Sequence, residues 1–260
     1  MIHRHILTSL FLITFIPLIA TALPPRSPAG GGMLRLDETH DFVATVEAWF
    51  PNRQFKGLTA EAWVYFEELP VHGTFWSIIG QQGRFNLVIH GNIGSLGAWG
   101  YAEGRARALT IGVFPLPEKE WIHVTAIYNA GARTGFNGKG REWCSSGGRL
   151  IKSNKPLRIG GIIPQDKNRS HFIGDNVKFQ GYIDEVRISK VVRYVGPEWD
   201  VPNGKFQVDR HTISLWHFDE APGANLFKDA TLYGYDLWRS GVLAVEAQGK
   251  LTTTWGKLKQ

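Results

Sequence analysis

Three adjacent pairs of acidic residues are the first candidates for chemistry in this chain. They are Glu67-Glu68, Asp184-Glu185 and Asp219-Glu220. Two carboxylates hydrolyse a glycosidic bond as acid and nucleophile when they face one cleft about 5 Å apart. Adjacent residues of a strand point to opposite faces of the sheet, so these pairs are not predicted to have that geometry. The sequence therefore favours a non-catalytic protein.

Nucleophilic catalysis has little support in the sequence. There is no G-x-S-x-G string, and His123 and His217 lie inside predicted strands, where a packed or hydrogen-bonded role is commoner. The single cysteine, Cys144, permits neither an intrachain disulfide nor a cysteine metal cluster. It is predicted to be a leftover thiol, either buried or paired between molecules.

The strands that would position these residues follow from the hydrophobic pattern. From Asp41 onward, apolar residues recur with period two or in short runs that Gly, Pro or Asn interrupt, and there is no long amphipathic helix. Strands without intervening helices form antiparallel sheets, so the predicted fold is all-β, with a two-sheet sandwich favoured over a barrel. The predicted strands are 42–50, 59–66, 75–80, 85–90, 95–101, 108–114, 121–128, 157–161, 179–189 and 212–218, with a weaker one at 242–245.

Two stretches bear on where a ligand would bind. The segment 59–66 alternates an apolar face with a face of Glu61, Trp63 and Tyr65. Such a face suits a ligand-accessible surface, although an overlying loop produces the same pattern and is the commoner explanation. The glycine-rich region 131–155 is predicted to be a hairpin with long loops, with its turn at Asn137-Gly138.

Composition excludes several classes of protein. The chain has 260 residues, 43% of them hydrophobic and 12% aromatic, which is incompatible with disorder, collagen or a coiled coil. Its formal charge of +6 comes from scattered Lys and Arg, so nucleic acid is not a predicted partner.

The N-terminal residues are predicted to be an export signal. A cationic start and an apolar stretch at 6–20 precede Ala20-Thr21-Ala22, so 1–22 is read as a signal peptide that is cleaved after Ala22. Because the stretch is short and interrupted, an uncleaved membrane anchor is the less favoured alternative. No stable membrane insertion is expected after cleavage. The product is predicted to be secreted, periplasmic or at the cell surface. The predicted organisation continues with a Pro/Gly-rich linker at 23–33 and a sandwich at 34–220. A C-terminal extension at 221–260 is predicted to pack on the sandwich or to close it.

Four segments, taken in order, carry a resemblance to a known family. They are E-A-W-V at 61–64, W-I-H-V-T-A-I-Y at 121–128, L-R-I-G-G at 157–161 and G-Y-I-D-E-V-R-I-S at 181–189. This order resembles the LamG-like jelly-roll modules of the concanavalin A-like lectin/glucanase superfamily, of the bacterial secreted type related to laminin G and pentraxin domains. The resemblance spans about 34–200 and implies a jelly-roll sandwich. One departure is Y-N-A-G at 128–131, where the family has Y-D-G before a regular hairpin.

The resemblance also has implications for chemistry. Enzymes of this superfamily that cleave β-glucans carry an E-x-D-x-E string, which this chain lacks. Relatives often hold Ca²⁺ at the sandwich rim, and Asp41 and Asp184 are the predicted metal ligands. For Asp184 an ion pair with Arg187 or a turn cap is the alternative. The oxygen donors nearest the family motifs are Asp37, Asp41, Asp175, Asn176 and Asp184.

Tryptophans are the predicted ligand-binding residues, because flat rings stack on the C–H surfaces of sugars. Trp63, Trp121 and Trp216 lie in family motifs and are predicted to be core. Outside the strongest motifs lie the four surface candidates, Trp76, Trp99, Trp143 and Trp238, for each of which core packing is the alternative.

The predicted function is a secreted, non-catalytic module that binds extracellular carbohydrate or a protein partner. Two alternatives stay open. One is a polysaccharide hydrolase of the same superfamily whose carboxylates no string reveals, and the other is a structural adhesion or assembly unit without a small ligand.

Overall fold

The computed structural model describes residues 23–37, 42–71, 74–91, 94–102, 105–112, 114–145, 149–161 and 178–240, excluding the side chains of 102, 105–111 and 142–145. These residues form two antiparallel β-sheets packed face to face, so the predicted all-β jelly-roll sandwich is confirmed. Across the described ranges, no helix is long and apolar enough to cross a membrane.

Fifteen strands build the two sheets. In chain order they are β1 (Leu34–Leu36), β2 (Val43–Thr45), β3 (Leu58–Tyr65), β4 (Phe75–Gln81), β5 (Phe85–His90), β6 (Ser95–Ala102), β7 (Arg105–Gly112), β8 (Ile122–Tyr128), β9 (Gly131–Phe136), β10 (Lys139–Ser145), β11 (Leu157–Ile159), β12 (Gly181–Ser189), β13 (Thr212–Trp216), β14 (Leu226–Phe227) and β15 (Leu237–Arg239). The seven-stranded sheet has the order β1-β12-β3-β8-β9-β10, with β13 also paired to β12. The eight-stranded sheet has the order β14-β15-β2-β11-β4-β5-β6-β7.

The glycine-rich region contains a hairpin with a two-residue turn and a shift of register between Arg141 and Trp143. Strands β9 and β10 pair around Asn137 and Gly138, which have φ angles of 44° and 78°. Two consecutive residues with positive φ are what a tight two-residue hairpin turn requires, so the predicted turn is confirmed. Further along the chain, the predicted strand at 242–245 lies outside the described residues.

The hydrophobic core lies between the two sheets. Ala60, Ala62 and Val64 of β3 point into it, and Ile79 and Leu87 meet them from the opposite sheet. The alternation along β3 then places Glu61 and Trp63 on the outer face of the seven-stranded sheet.

That outer face is covered by the chain itself. Glu61 and Trp63 are buried beneath a segment that contains Tyr194 and Phe206. The Glu61 carboxylate accepts hydrogen bonds from Arg187 Nε at 2.9 Å and from the Tyr194 hydroxyl at 2.5 Å. Of the two explanations for the polar and aromatic face of β3, the overlying segment is therefore the one observed.

The residues predicted to form a linker also pack on this face. Pro24, Ser27 and Ala29 are buried, and Ala29 joins a small cluster with Trp63. The Trp121 indole donates a hydrogen bond to the carbonyl of Pro25 at 2.7 Å. The expectation of a free linker is thus corrected, because apolar and hydrogen-bonding partners on the sheet hold the segment in place.

Candidate functional site

A row of residues crosses the outer face of the eight-stranded sheet and contains two of the predicted ligand-binding tryptophans. Six directly paired residues succeed one another from β15 to β6, and we call them the cross-sheet row: Trp238, Ala44, Arg158, Gly80, Asn86 and Trp99. Paired residues share one face of a sheet. The sequence neighbours Leu157, Ile79 and Leu87 lie in the core, so the cross-sheet row faces outward.

The cross-sheet row is long, and two residues near its centre have very small side chains. Five strand-to-strand steps separate Trp238 from Trp99, which is about 24 Å at about 4.8 Å per step. Gly80 and Ala44 between them contribute almost no side chain. Trp238, Arg158 and Trp99 are each partly exposed. The surface therefore offers an aromatic ring near each end and a guanidinium between two small residues.

Arg158 is held without a charged partner. Its guanidinium carbon lies 4.2 Å from the centre of the Phe42 ring. Within the described part of the chain, no carboxylate or other hydrogen-bond acceptor contacts it. Burial lowers the pKa of Arg158 below its usual value, and no facing anion opposes that effect.

An aromatic cluster forms one end of the surface. Phe75 contacts His90 with ring centres 4.1 Å apart and Trp99 with ring centres 5.6 Å apart. Beside it, the Ser77 hydroxyl donates a hydrogen bond of 2.9 Å to Asn86 Oδ1, which orients the Asn86 amide. Trp99 is therefore fixed by its neighbours, and a fixed ring loses little entropy when a ligand stacks on it.

A second concave surface, the end groove, lies where β1 and β3 end and β4 and β12 begin. It encloses ≈ 750 Å³ and is lined by Asp37, Glu67 and Glu68, among others. Tyr182 contributes a partly exposed ring. Glu67 and Glu68 follow β3 in a bend, so strand alternation does not separate them. The prediction that this pair faces opposite ways is wrong, because both residues line one groove.

The Asp184-Glu185 pair also departs from the predicted geometry. A β-bulge interrupts β12 here, and Glu185 has a φ of 51°. Glu185 Oε2 accepts the Phe206 N–H at 2.8 Å, and the Phe206 ring lies 4.5 Å from the Arg187 guanidinium on the outer face. The bulge thus turns both acidic side chains to the same face.

Because this acidic pair is buried, a polysaccharide cannot reach its carboxylates. Both Asp184 and Glu185 are 0% exposed. His217 Nδ1 lies 2.8 Å from Glu185 Oε1, and this hydrogen bond raises the pKa of His217. Since the chain covers both carboxylates, their arrangement is that of a structural cluster rather than a cleavage site.

The fold and the sequence match a known family. Residues 37–194 match the family model described as the concanavalin A-like lectin/glucanases superfamily, which is more than half of the chain. The chain belongs to this superfamily.

Solved structures with the superfamily fold resemble the chain at low identity. A candidate carbohydrate-binding protein from Bacteroides ovatus is 18% identical with a TM-score of 0.52, and the match covers 81% of this chain and 57% of that one. A heptameric SAP-like pentraxin from Limulus polyphemus is 12% identical with a TM-score of 0.44, covering 63% and 76%. The sialyllactose-bound CBM40 of a Ruminococcus gnavus IT-sialidase is 11% identical with a TM-score of 0.45, covering 63% and 91%. The likeness to the Bacteroides ovatus protein shows the fold. No curated protein matches the chain.

Calcium, which the superfamily resemblance implied, stays a prediction at Asp184, whose buried Oδ2 has no hydrogen-bond partner among the described residues. Ca²⁺ takes six to eight oxygen ligands. Asp184 Oδ1 already accepts the Glu185 N–H at 2.8 Å, and Lys205 places a positive charge nearby. Within the described ranges, no group of three His, Cys, Asp or Glu side chains is arranged to hold a metal. Asp41 lies outside those ranges, so a site that uses it stays a prediction.

The other two tryptophan candidates do not join the cross-sheet row. Trp76 is 9% exposed and packs in the core against Phe66 and Phe179, with ring centres 6.1 Å and 5.5 Å away. Trp76 nevertheless lines the end groove, so its role in binding a ligand stays a prediction. Trp143 belongs to β10 of the other sheet, and its side chain lies outside the described part.

Arg158 and Asn86 are the residues of this surface that the sequence analysis missed. Both stand between apolar neighbours within strands, a signal that identifies outward-facing positions. The signal gives the face of the sheet, but not which strands lie side by side.

Proposed function

We propose that this chain is a non-catalytic carbohydrate-binding module that binds a glycan along the cross-sheet row. The observation that carries the proposal is the placement of Trp99 and Trp238 on one face, about 24 Å apart. Aromatic faces stack on sugar C–H groups, while amide and guanidinium groups bond hydroxyls. Arg158, which is partly exposed, supplies such a group between the two rings. Asn86 is 6% exposed, and its Oδ1 accepts the Ser77 hydroxyl.

The superfamily relatives support this proposal. The Bacteroides ovatus protein is described as a candidate carbohydrate-binding protein and shares the fold. The export pattern of residues 1–22 supports an extracellular, periplasmic or cell-surface location, where polysaccharides are available. We therefore include an extracellular glycan in the proposal.

A glycan array, followed by calorimetry on the best ligand, tests the proposal. Trp99→Ala and Trp238→Ala are each expected to weaken binding about tenfold or more, as loss of a central aromatic contact does. Trp238→Phe, which keeps a flat ring, is expected to retain most of the affinity. Leu232→Ala is the matched surface control, since this residue is fully exposed elsewhere.

Two results would overturn the proposal. If the folded protein binds no glycan, a structural unit or a protein-binding module becomes the better description. If it binds a glycan and neither tryptophan variant weakens the binding, the cross-sheet row is not the site.

The end groove favours a polysaccharide hydrolase as the second candidate function, because it collects three carboxylates in one cavity. Release of reducing sugar from β-glucans tests this alternative. Activity that is lost in Glu68→Gln but kept in Glu47→Gln, an exposed acid elsewhere, would establish hydrolysis. The non-catalytic proposal expects no release from either protein.

A further inference from the structure

The strands of the eight-stranded sheet contain no acidic residue. The seven-stranded sheet, by contrast, carries Glu61, Glu142, Asp184 and Glu185 in its strands. The basic residues in the strands of the eight-stranded sheet are His90, Arg105, Arg107, Arg158 and Arg239. Of the described arginine side chains in these strands, that of Arg158 is the partly exposed one on the outer face, and such a cation attracts anions.

Arg158 differs from the other partly buried arginines. Arg187 pairs with Glu61 at 2.9 Å, and Arg193 pairs with Asp209 at 2.8 Å. Arg84 donates to several carbonyl oxygens, including that of Ile151 at 2.9 Å. A guanidinium carries five N–H donors, and a partly desolvated one without an acceptor costs free energy. An anionic ligand would supply the acceptors that Arg158 lacks.

Arg158 is partly exposed at the centre of the cross-sheet row, where its neighbours are buried. Its two neighbours in the cross-sheet row, Ala44 and Gly80, have minimal side chains. The Phe42 ring supports the guanidinium from one side. A planar guanidinium held in this way binds carboxylate or sulfate oxygens with two parallel hydrogen bonds.

We infer that the cross-sheet row binds acidic glycans, whose sugars carry carboxylate or sulfate groups, and that Arg158 binds the anionic group. The inference rests on the proposed glycan-binding function and adds the class of ligand. The two rings would stack on sugars on either side of the charged one.

Paired polysaccharides that differ only in charge test the inference with the full chain. Polygalacturonate is compared with its methyl ester, and dextran sulfate with dextran, by calorimetry at two salt concentrations. At least one acidic member is expected to bind at least tenfold more tightly than its neutral counterpart, with the difference shrinking at high salt. The pair that shows the difference identifies carboxylate or sulfate as the recognised group.

Variants test whether Arg158 causes the preference for the acidic polymer. Arg158→Gln is expected to abolish the preference for the acidic polymer, and Arg158→Lys is expected to keep part of it. Arg210→Gln removes an exposed arginine outside the eight-stranded sheet and is expected to change nothing. Melting temperatures of all variants are measured alongside.

The possible results distinguish the inference about acidic glycans from the proposed glycan-binding function on which it rests. Equal, Trp99-dependent binding of the acidic and neutral polymers would overturn the inference and leave glycan binding intact. An equal effect of Arg210→Gln would also overturn it, because the preference would then come from overall charge. Failure to bind any glycan would overturn the proposed function itself.

Discussion

Glu61 and Asp184 show how the neighbours of a buried carboxyl group decide its charge. Burial alone raises the pKa of a carboxyl group. For Glu61, the hydrogen bond to His123 and the charge of Arg187 outweigh burial and lower the pKa to about 2. For Asp184, burial dominates, and the pKa is raised to about 7. The two groups lie on the same face of the same sheet, and the difference is the Arg187 guanidinium that donates directly to Glu61.

Glu61→Gln is expected to destabilise the protein by about 3 kcal/mol at neutral pH, because it leaves the buried Arg187 guanidinium without its carboxylate. A pKa held below the unfolded value gives stability that is complete above about pH 4.5 and is lost as the pH falls towards about 2. Chemical denaturation between pH 7 and pH 2 checks this. Glu47→Gln, at an exposed position, is the control, and equal acid sensitivity of Glu61→Gln and the parent would contradict the prediction.

Asp184→Asn is expected to stabilise the protein at pH 8 by on the order of 1 kcal/mol. A carboxyl group whose folded pKa is raised costs no stability below its unfolded value of 3.8 and costs progressively more as the pH rises through about 7. Melting curves at pH 5 and pH 8, with calcium and with a chelator, check this. A calcium-dependent loss of stability in the variant would instead establish Asp184 as a metal ligand.

At the scale of elements, local backbone conformation decides which side chains meet. The bulge in β12 turns Asp184 and Glu185 to one face, and the β9–β10 turn brings Gly138 against a neighbouring segment. A Cβ added at Gly138 would lie 2.3 Å from the carbonyl oxygen of Trp199. The turn therefore requires glycine for its φ and also for its close approach to the segment that covers the sheet.

Gly138→Ala is expected to destabilise the protein by about 2–3 kcal/mol, which combines positive-φ strain with the contact to backbone. Gly204→Ala is the matched variant, since Gly204 has a φ of 79° and open space around its Cβ position. It is expected to cost only about 1 kcal/mol. Urea denaturation measures both, and equal losses would show that the contact with Trp199 contributes nothing.

At the scale of the whole molecule, the two outer faces have different roles. The segment 23–32 and the chain around Tyr194 and Phe206 cover the seven-stranded sheet and bury its charges. The eight-stranded sheet carries the partly exposed cross-sheet row. The chain thus covers one face, and the proposed glycan site lies on the other, where Trp99, Arg158 and Trp238 are partly exposed.

Removal of residues 23–32 is expected to lower the melting temperature by at least about 5 °C relative to a chain that begins at Leu23. It would uncover Trp63 and remove the hydrogen bond of 2.7 Å between the Gly32 N–H and Asp219. One kcal/mol corresponds to about 2–4 °C for a protein of this size. Glycan binding is expected to persist in the shortened protein. Unchanged melting would show that the segment is the passive linker that composition indicates.

The sequence by itself determined the class of fold and most of the strands. Period-two alternation is a local property, and it also predicted the Asn137-Gly138 turn, since positive φ is a requirement of the residues themselves. The prediction from alternation was wrong at Asp184-Glu185, because a β-bulge interrupts the alternation there and the sequence carries no signal for the bulge.

Only the tertiary structure decided which residues share a surface. Trp99, Arg158 and Trp238 come from three strands that are distant in the chain, and strand order brings them into one row. Trp76 has the same residue type as Trp99 and a similar strand context, yet it points into the core. The types of residue determine the chemistry that a site can perform. Whether those residues come together depends on pairing between strands that are remote in the chain, and no local pattern specifies that pairing.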